Sequence, residues 1–265
     1  MVADAPGDPS TLFSVAGKSV LITGGSRGIG YMIARGFLSA GASVTITARK
    51  ASACRAAAEE LGVLGPCTAI PGDVSTPEGV VALAESLRST HASLDVLVNN
   101  AGAAWGVPLE EYPRSAWDKV LDVNVKGVFE LSVALLPLLR AAATADDPAR
   151  IINVGSIEGL QVPELENYAY PASKAAVHML TRHLALRLAS EQITVNAIAP
   201  GPFDSKMMAF ALDDPSTRNL VSSKVPLGRV GRPDDVAGAA LYIASRAGAY
   251  LTGVILPVDG GLRAR

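Results

Sequence analysis

Thr23-Gly24-Gly25-Ser26-Arg27-Gly28-Ile29-Gly30 compresses a strand end, a glycine turn and a helix start into one stretch. It follows the apolar run Ser19-Val20-Leu21-Ile22-Thr23 and opens a helical pattern from Gly28 to Ala40. Gly24, Gly28 and Gly30 permit a tight turn, close backbone approach to a pyrophosphate, and close packing of helix on strand. The helix start aims its free N–H groups and the positive end of its dipole at the phosphates. Strand, turn and helix in this order predict a dinucleotide-binding unit, with Gly24, Ser26, Arg27, Gly28, Ile29 and Gly30 in contact with the cofactor.

Outward from this turn the pattern repeats. Further strands are expected at 44–47, 67–70, 94–98, 150–154, 193–198 and 253–257, with helices at 51–61, 77–89, 115–140, 170–189 and 233–245. Apolar strands alternating with helices predict an α/β fold: a single-domain, Rossmann-type, doubly wound parallel sheet with helices on both faces. Residues 1–15 read as a flexible N-terminal tail and 16–265 as one domain.

The 265 residues carry a formal net charge of −2, and 49% are hydrophobic but only 5% aromatic. That balance gives no general attraction to phosphate backbones or anionic lipid, so neither nucleic-acid nor membrane partners are expected. Cys54 and Cys67 lack metal-ligand spacing and read as reduced structural thiols. His178 and His183 do not have the helical spacing of a zinc pair, so no metal is expected. MVADAPGDPS has acids and prolines where a signal peptide has a basic start and an apolar run, which reads as cytoplasmic. Glu130 and Pro137 interrupt the richest apolar stretch.

Cofactor choice is set about 20 residues beyond the glycine turn, where an acid would accept from a ribose 2′-hydroxyl. This chain has Ala48-Arg49-Lys50 there, with Arg27 already in the turn. Cations without an acid suit a 2′-phosphate, so NADP(H) is favoured over NAD, with Arg49 and Lys50 as its contacts. A solvated basic edge is the plainer alternative.

Tyr168-Ala169-Tyr170-Pro171-Ala172-Ser173-Lys174 carries the chemistry. Tyr170 and Lys174 are one helical turn apart, about 6 Å along the axis. An ammonium beside a phenol, together with an oxidised nicotinamide, favours the phenolate and is expected to lower the Tyr170 pKa. Tyr168 has Ala172 in the corresponding position, so no lysine pairs with it. Upstream, Ile151-Ile152-Asn153-Val154 ends at Gly155-Ser156, and a serine past the carboxyl end of a buried strand faces the ligand crevice. Its hydroxyl can bind a substrate oxygen while Tyr170 moves the proton.

Together, TGGSRGIG (23–30), NNAG (99–102), Asn124, Ser156, YPASK (170–174) and Ala199-Pro200-Gly201 strongly resemble the short-chain dehydrogenase/reductase family, from about residue 17 to 261. The resemblance implies that Ser156 orients the substrate and Tyr170 is the general acid–base. It implies that Lys174 binds the nicotinamide ribose and that Asn124 holds a relay water. Asp73 and Val74, then Asn100, Ala101 and Gly102, would line the adenosine side. Pro200, Gly201, Pro202 and Phe203 would flank the nicotinamide. Ser205 stands where the family often has threonine, at the carboxamide contact. The resemblance also implies a homo-oligomer, tetramer or dimer, built on the helices at 115–140 and 170–189 and the last strand.

Between Phe203 and about Arg229, Met207, Met208, Phe210, Leu212 and Leu220 suit a lid over a medium-sized, partly apolar substrate. Trp105 is a candidate wall, and Glu158, Glu164 and Glu166 are read as exposed loop acids with substrate contact as the alternative. VPELENYAYPASKAAVHMLTRHLA and NAIAPGPFDSKM look like the branch containing 3-oxoacyl reductases of the rhamnolipid-pathway type and gluconate 5-dehydrogenase-like enzymes. That points to reduction of a ketone with NADPH. The alternatives are an NAD(P)-dependent polyol, sugar or secondary-alcohol dehydrogenase, and a catalytically silent NADPH-binding regulator.

Overall fold

In the computed structural model, which describes residues 8–264, seven strands form one parallel sheet in the order β3-β2-β1-β4-β5-β6-β7. They are β1 (Ser19–Thr23), β2 (Ser43–Thr47), β3 (Cys67–Ala69), β4 (Val96–Asn99), β5 (Ala149–Val154), β6 (Ile193–Pro200) and β7 (Ile255–Val258). Every position of β4, β5 and β6 is buried, as expected for strands covered on both faces. The helices are α1 (Pro9–Leu12), α2 (Gly28–Ser39), α3 (Ala51–Leu61), α4 (Pro77–Thr90), α5 (Arg114–Leu121), α6 (Gly127–Ala134), α7 (Leu136–Ala142), α8 (Ala169–Leu188), α9 (Ala209–Leu212), α10 (Pro215–Lys224) and α11 (Pro233–Ala244).

Side-chain alternation along the strands divides the core. Val20 and Ile22 of β1 join Ile33 and Phe37 of α2 and Ile243 of α11 on one face. Leu21, between them, joins Leu83 and Leu87 of α4 and Leu131 of α6 on the other.

The register brings the carboxyl ends of the strands level, pairing Thr23 with Thr47, Asn99 with Asn153 and Val154 with Ile198. β1 lies between β2 and β4, so chain order reverses there and opens a crevice at the carboxyl edge.

Two expectations needed correction. The helix expected over 115–140 is broken into α5, a wide π-helical turn at Asp122–Lys126, α6 and α7. Pro137 has no N–H to continue α6, so it starts a new helix; Gly127 lies against the Val74 carbonyl with no room for a Cβ. Of the expected tail, residues 1–7 lie outside the described residues. Residues 9–12 form α1, Val15 is buried, and the Phe13 ring lies 6.3 Å from that of Tyr242, so this end packs on the body. Among the described residues, no helix is long and apolar enough to cross a membrane.

Candidate active site

The glycine turn is bracketed from both sides. Gly24 and Gly25 donate their N–H groups to the Thr47 carbonyl at the end of β2, at 2.8 and 3.3 Å. From β4, Asn100 Nδ2 donates to the Thr23 and Gly24 carbonyls, and Thr23 Oγ1 accepts from the N–H groups of Asn100 and Ala101. Gly24 and Gly28 have φ of +66° and +56°, which disfavours any other residue. At Gly30 a Cβ would strike the Asn100 amide. Arg27 precedes α2 in extended backbone and makes no side-chain cap, so the first N–H groups of that helix keep their capacity for an anion.

The Thr47 junction also sets Ala48-Arg49-Lys50 beside the turn. Arg27, Arg49 and Lys50 are exposed, and none forms an ion pair or side-chain hydrogen bond among the described residues. Ser26 and Ile29 are partly buried, with Ile29 packed on the core. This cradle fits a dinucleotide pyrophosphate with a 2′-phosphate on the basic side.

Asp73 Oδ1 accepts from the N–H and hydroxyl of Ser75, at 3.0 and 2.7 Å; Thr76, not Asp73, caps α4. Val74 is buried with its carbonyl against Gly127. Gly102 lies between Asn124 and the Lys174 ammonium. Pro200 ends β6, and Gly201 sits against the Asp259 backbone, where a Cβ would not fit. Ser205 reaches the glycine turn: its Cβ would be 3.2 Å from a Cβ on Gly28. Phe203 follows in the same loop. Its ring is 2% exposed and packed over Gly231, so it anchors the base of the 203–229 segment in the core.

Ser156, Tyr170 and Lys174 converge past the end of β5. Ser156 is buried in extended backbone, and its Oγ accepts from the Glu158 N–H at 3.1 Å. Lys174 is buried, with Nζ 5.5 Å from the Tyr170 ring centroid. Asn124 sits in the wide turn: Nδ2 donates to the Ala103 carbonyl at 3.0 Å and to Ser173 Oγ at 2.9 Å, and Oδ1 accepts from the Ala103 N–H at 2.8 Å. Both amide protons are engaged, so the side chain could hold a relay water only through the second lone pair of Oδ1. A π turn at such a site is a recurrent device for displacing one functional side chain.

Among the protein's own groups, the balance at Tyr170 runs upward, against the lowering that Lys174 alone implies. Burial pushes the Tyr170 phenol up to about 12, and the Glu158 carboxylate adds to the rise, while the Ser156 hydroxyl works the other way. Burial also brings Lys174 down to about 8. Removing both groups from water outweighs the attraction that proximity alone implies. These groups therefore keep the Tyr170 phenol protonated at neutral pH.

Tyr168 turns away: its hydroxyl donates to Glu166 Oε1 at 3.0 Å, and its ring packs edge-on against Tyr112. Lys119 stacks over Trp105, 4.5 Å from its centroid. Met207, Phe210 and Leu220 are exposed, whereas Leu212 is buried. Glu164 pairs with Lys224 of α10 at 2.5 Å. Glu158 is not an exposed acid. It is partly buried, its Oε2 accepts from Asn167 Nδ2 at 2.9 Å, and burial raises its pKa. Asn167 and Ser173 are contributors the sequence reading missed; both flank Tyr170, and nothing in their identity distinguishes them from surface polar residues.

A family model described as enoyl-(acyl carrier protein) reductase matches residues 24–263. The chain is 51% identical over 249 residues to the rhamnolipids biosynthesis 3-oxoacyl-[acyl-carrier-protein] reductase of Pseudomonas aeruginosa, covering 94% of this chain and 97% of the relative. It is 34% identical over 252 residues to 5-keto-D-gluconate 5-reductase of Escherichia coli, covering 95% and 97%. The Pseudomonas aeruginosa RhlG/NADP active-site complex superposes with a TM-score of 0.93 at 50% identity, covering 96% of this chain and 99% of that one.

Proposed function

The chain belongs to the short-chain dehydrogenase/reductase family, and we propose that it is an NADPH-dependent oxidoreductase that reduces a ketone, a 3-oxoacyl or similar medium-sized carbonyl compound. One observation carries the reading: Ser156, Tyr170 and Lys174 meet at the carboxyl end of β5, in the crevice that the uncapped start of α2 also faces. When bound, NADPH supplies the hydride. Ser156 binds the substrate oxygen, and Tyr170, held protonated, delivers the proton to it. Lys174 carries positive charge beside the phenol and positions the cofactor ribose, while Asn124 fixes Ala103 and Ser173 around the pair. Arg27, Arg49 and Lys50 recognise the 2′-phosphate, and Ser205 supports the carboxamide end.

The same residues working in reverse would oxidise a polyol or secondary alcohol, and steady-state rates with both coenzyme forms separate the two directions. A silent regulator has no use for the assembled trio. The segment at about 203–229, bearing exposed Met207 and Phe210, serves as the substrate lid. The protein is a homo-oligomer: Phe129 and Val133 of α6 and Met179 and Leu186 of α8 expose apolar surface on helices of sufficient length to pair with a second copy. Its free thiols, Cys54 and Cys67, suit a reducing cytoplasmic setting.

The test is NADPH oxidation over 3-oxoacyl thioesters, keto-sugars and cyclic ketones, with Tyr170→Phe as the blank. Turnover of a ketone by the native protein alone supports the reading. Tight NADPH binding with no turnover on any member overturns it in favour of the regulator.

A further inference from the structure

Glu158 lies where it can judge the substrate's charge. Its main-chain N–H donates to Ser156 Oγ at 3.1 Å, and its Oε2 accepts from Asn167 Nδ2 at 2.9 Å. The Asn167 carbonyl in turn accepts the Tyr170 N–H at 2.7 Å. The residue is thus tied through its main chain to the serine and through its carboxyl group, by way of Asn167, to the turn bearing the tyrosine; Oε1 has no hydrogen-bond partner among the described residues. Its charge is felt at the phenol.

We propose that Glu158 is a specificity-determining residue that admits ketones with no charge near the reacting carbon, esters and thioesters of 3-oxo acids included, and excludes the free keto acids. A substrate carboxylate next to the reacting carbonyl would be brought towards a second anion in a partly desolvated cleft, where screening is weak. Selection by a repulsive element of this kind needs no new attractive contact. This inference rests on the ketone-reductase reading and sharpens its substrate class.

The repulsion requires the ionised carboxylate. Of the titratable groups on α8, Tyr170, Lys174 and His178 lie against the 157–159 turn, while Arg182, His183 and Arg187 follow further along the helix and Arg263 acts on His178 from the C-terminal segment; β6 contributes none. Lys174 donates to the Val154 carbonyl, and among the described residues Glu158 forms no ion pair with it or any other cation. Discrimination therefore weakens as pH falls and the carboxyl takes up a proton.

The experiment compares kcat/KM for ethyl acetoacetate and acetoacetate, two ketones that differ by one charge at the same distance from the reacting carbon. It uses the native protein, Glu158→Gln and Glu158→Asp, each checked for NADPH binding. The preference for the ester should fall by roughly tenfold or more in Glu158→Gln and persist in Glu158→Asp. The native preference should also shrink at acid pH, and the Glu158→Gln preference should not. A preference unchanged within about threefold in Glu158→Gln, with the ester still reduced, overturns this inference alone. Failure of every neutral ketone to react overturns the reductase reading itself.

Discussion

Lys174 Nζ donates a 2.7 Å hydrogen bond to the main-chain carbonyl of Val154, the last residue of β5. That bond ties the helix bearing the Tyr170 phenol to the strand leading into Ser156, so the two side chains share one rigid reference.

Removing the ammonium should cost both charge and registration. Lys174→Met is expected to lower kcat/KM by about 10²-fold or more, within the usual range for acid–base machinery. Steady-state NADPH oxidation with the best ketone checks this. Near-native turnover in the variant would show that the bond is only structural.

The pH dependence follows from the two shifted groups. With Tyr170 pushed up to about 12 and Lys174 brought down to about 8, the phenol stays protonated across the neutral range while the ammonium begins to discharge. The rate of reduction should fall as pH rises through about 8, and the limb should belong to Lys174. In Lys174→Arg, whose side chain cannot lose its proton, that limb should move upward by about one unit or more. A pH–rate profile of both proteins decides it.

Cofactor preference should reside in the basic edge. Arg49→Asp is expected to weaken NADPH binding by about 1.5–3 kcal/mol, the usual worth of a charge-assisted hydrogen bond, and to leave NADH affinity little changed. Parallel fluorescence titrations with the two coenzymes measure the ratio. An unaltered ratio would remove Arg49 from the site.

Acid stability should report His178. Its ring is 3% exposed, and both nitrogens lack a hydrogen-bond partner among the described residues. Burial brings it from 6.5 to about 4; Lys174, Arg182 and Arg263 act in the same direction, and only the Gly159 carbonyl favours a proton. The unfolded chain binds that proton first, so the neutral form's stabilisation is complete above about 6.5 and is lost as pH falls towards 4, on the order of 3 kcal/mol in all. Denaturant melts of the native protein and His178→Gln across that window should converge at the acid end. Parallel curves would reject the assignment.

The sequence alone determined the alternation of strands and helices, the glycine turn between β1 and α2, and the grouping of Ser156, Tyr170 and Lys174 as candidates. Each rests on local rules: a strand run into glycines, cations in place of an acid, a phenol and an ammonium one helical turn apart. Tertiary structure alone decided which neighbours act on those groups. Burial of Tyr170 beside Glu158 reverses the pKa shift expected from Lys174, and desolvation depends on what the whole fold places around a side chain. The break in the 115–140 helix was half legible: Pro137 announces one interruption, but the wide turn at Asn124 depends on Ala103, Ser173 and the Val74 carbonyl, which are distant in the chain. Glu158 was misread for the same reason, since an acid in a loop looks exposed until the packing around it is known.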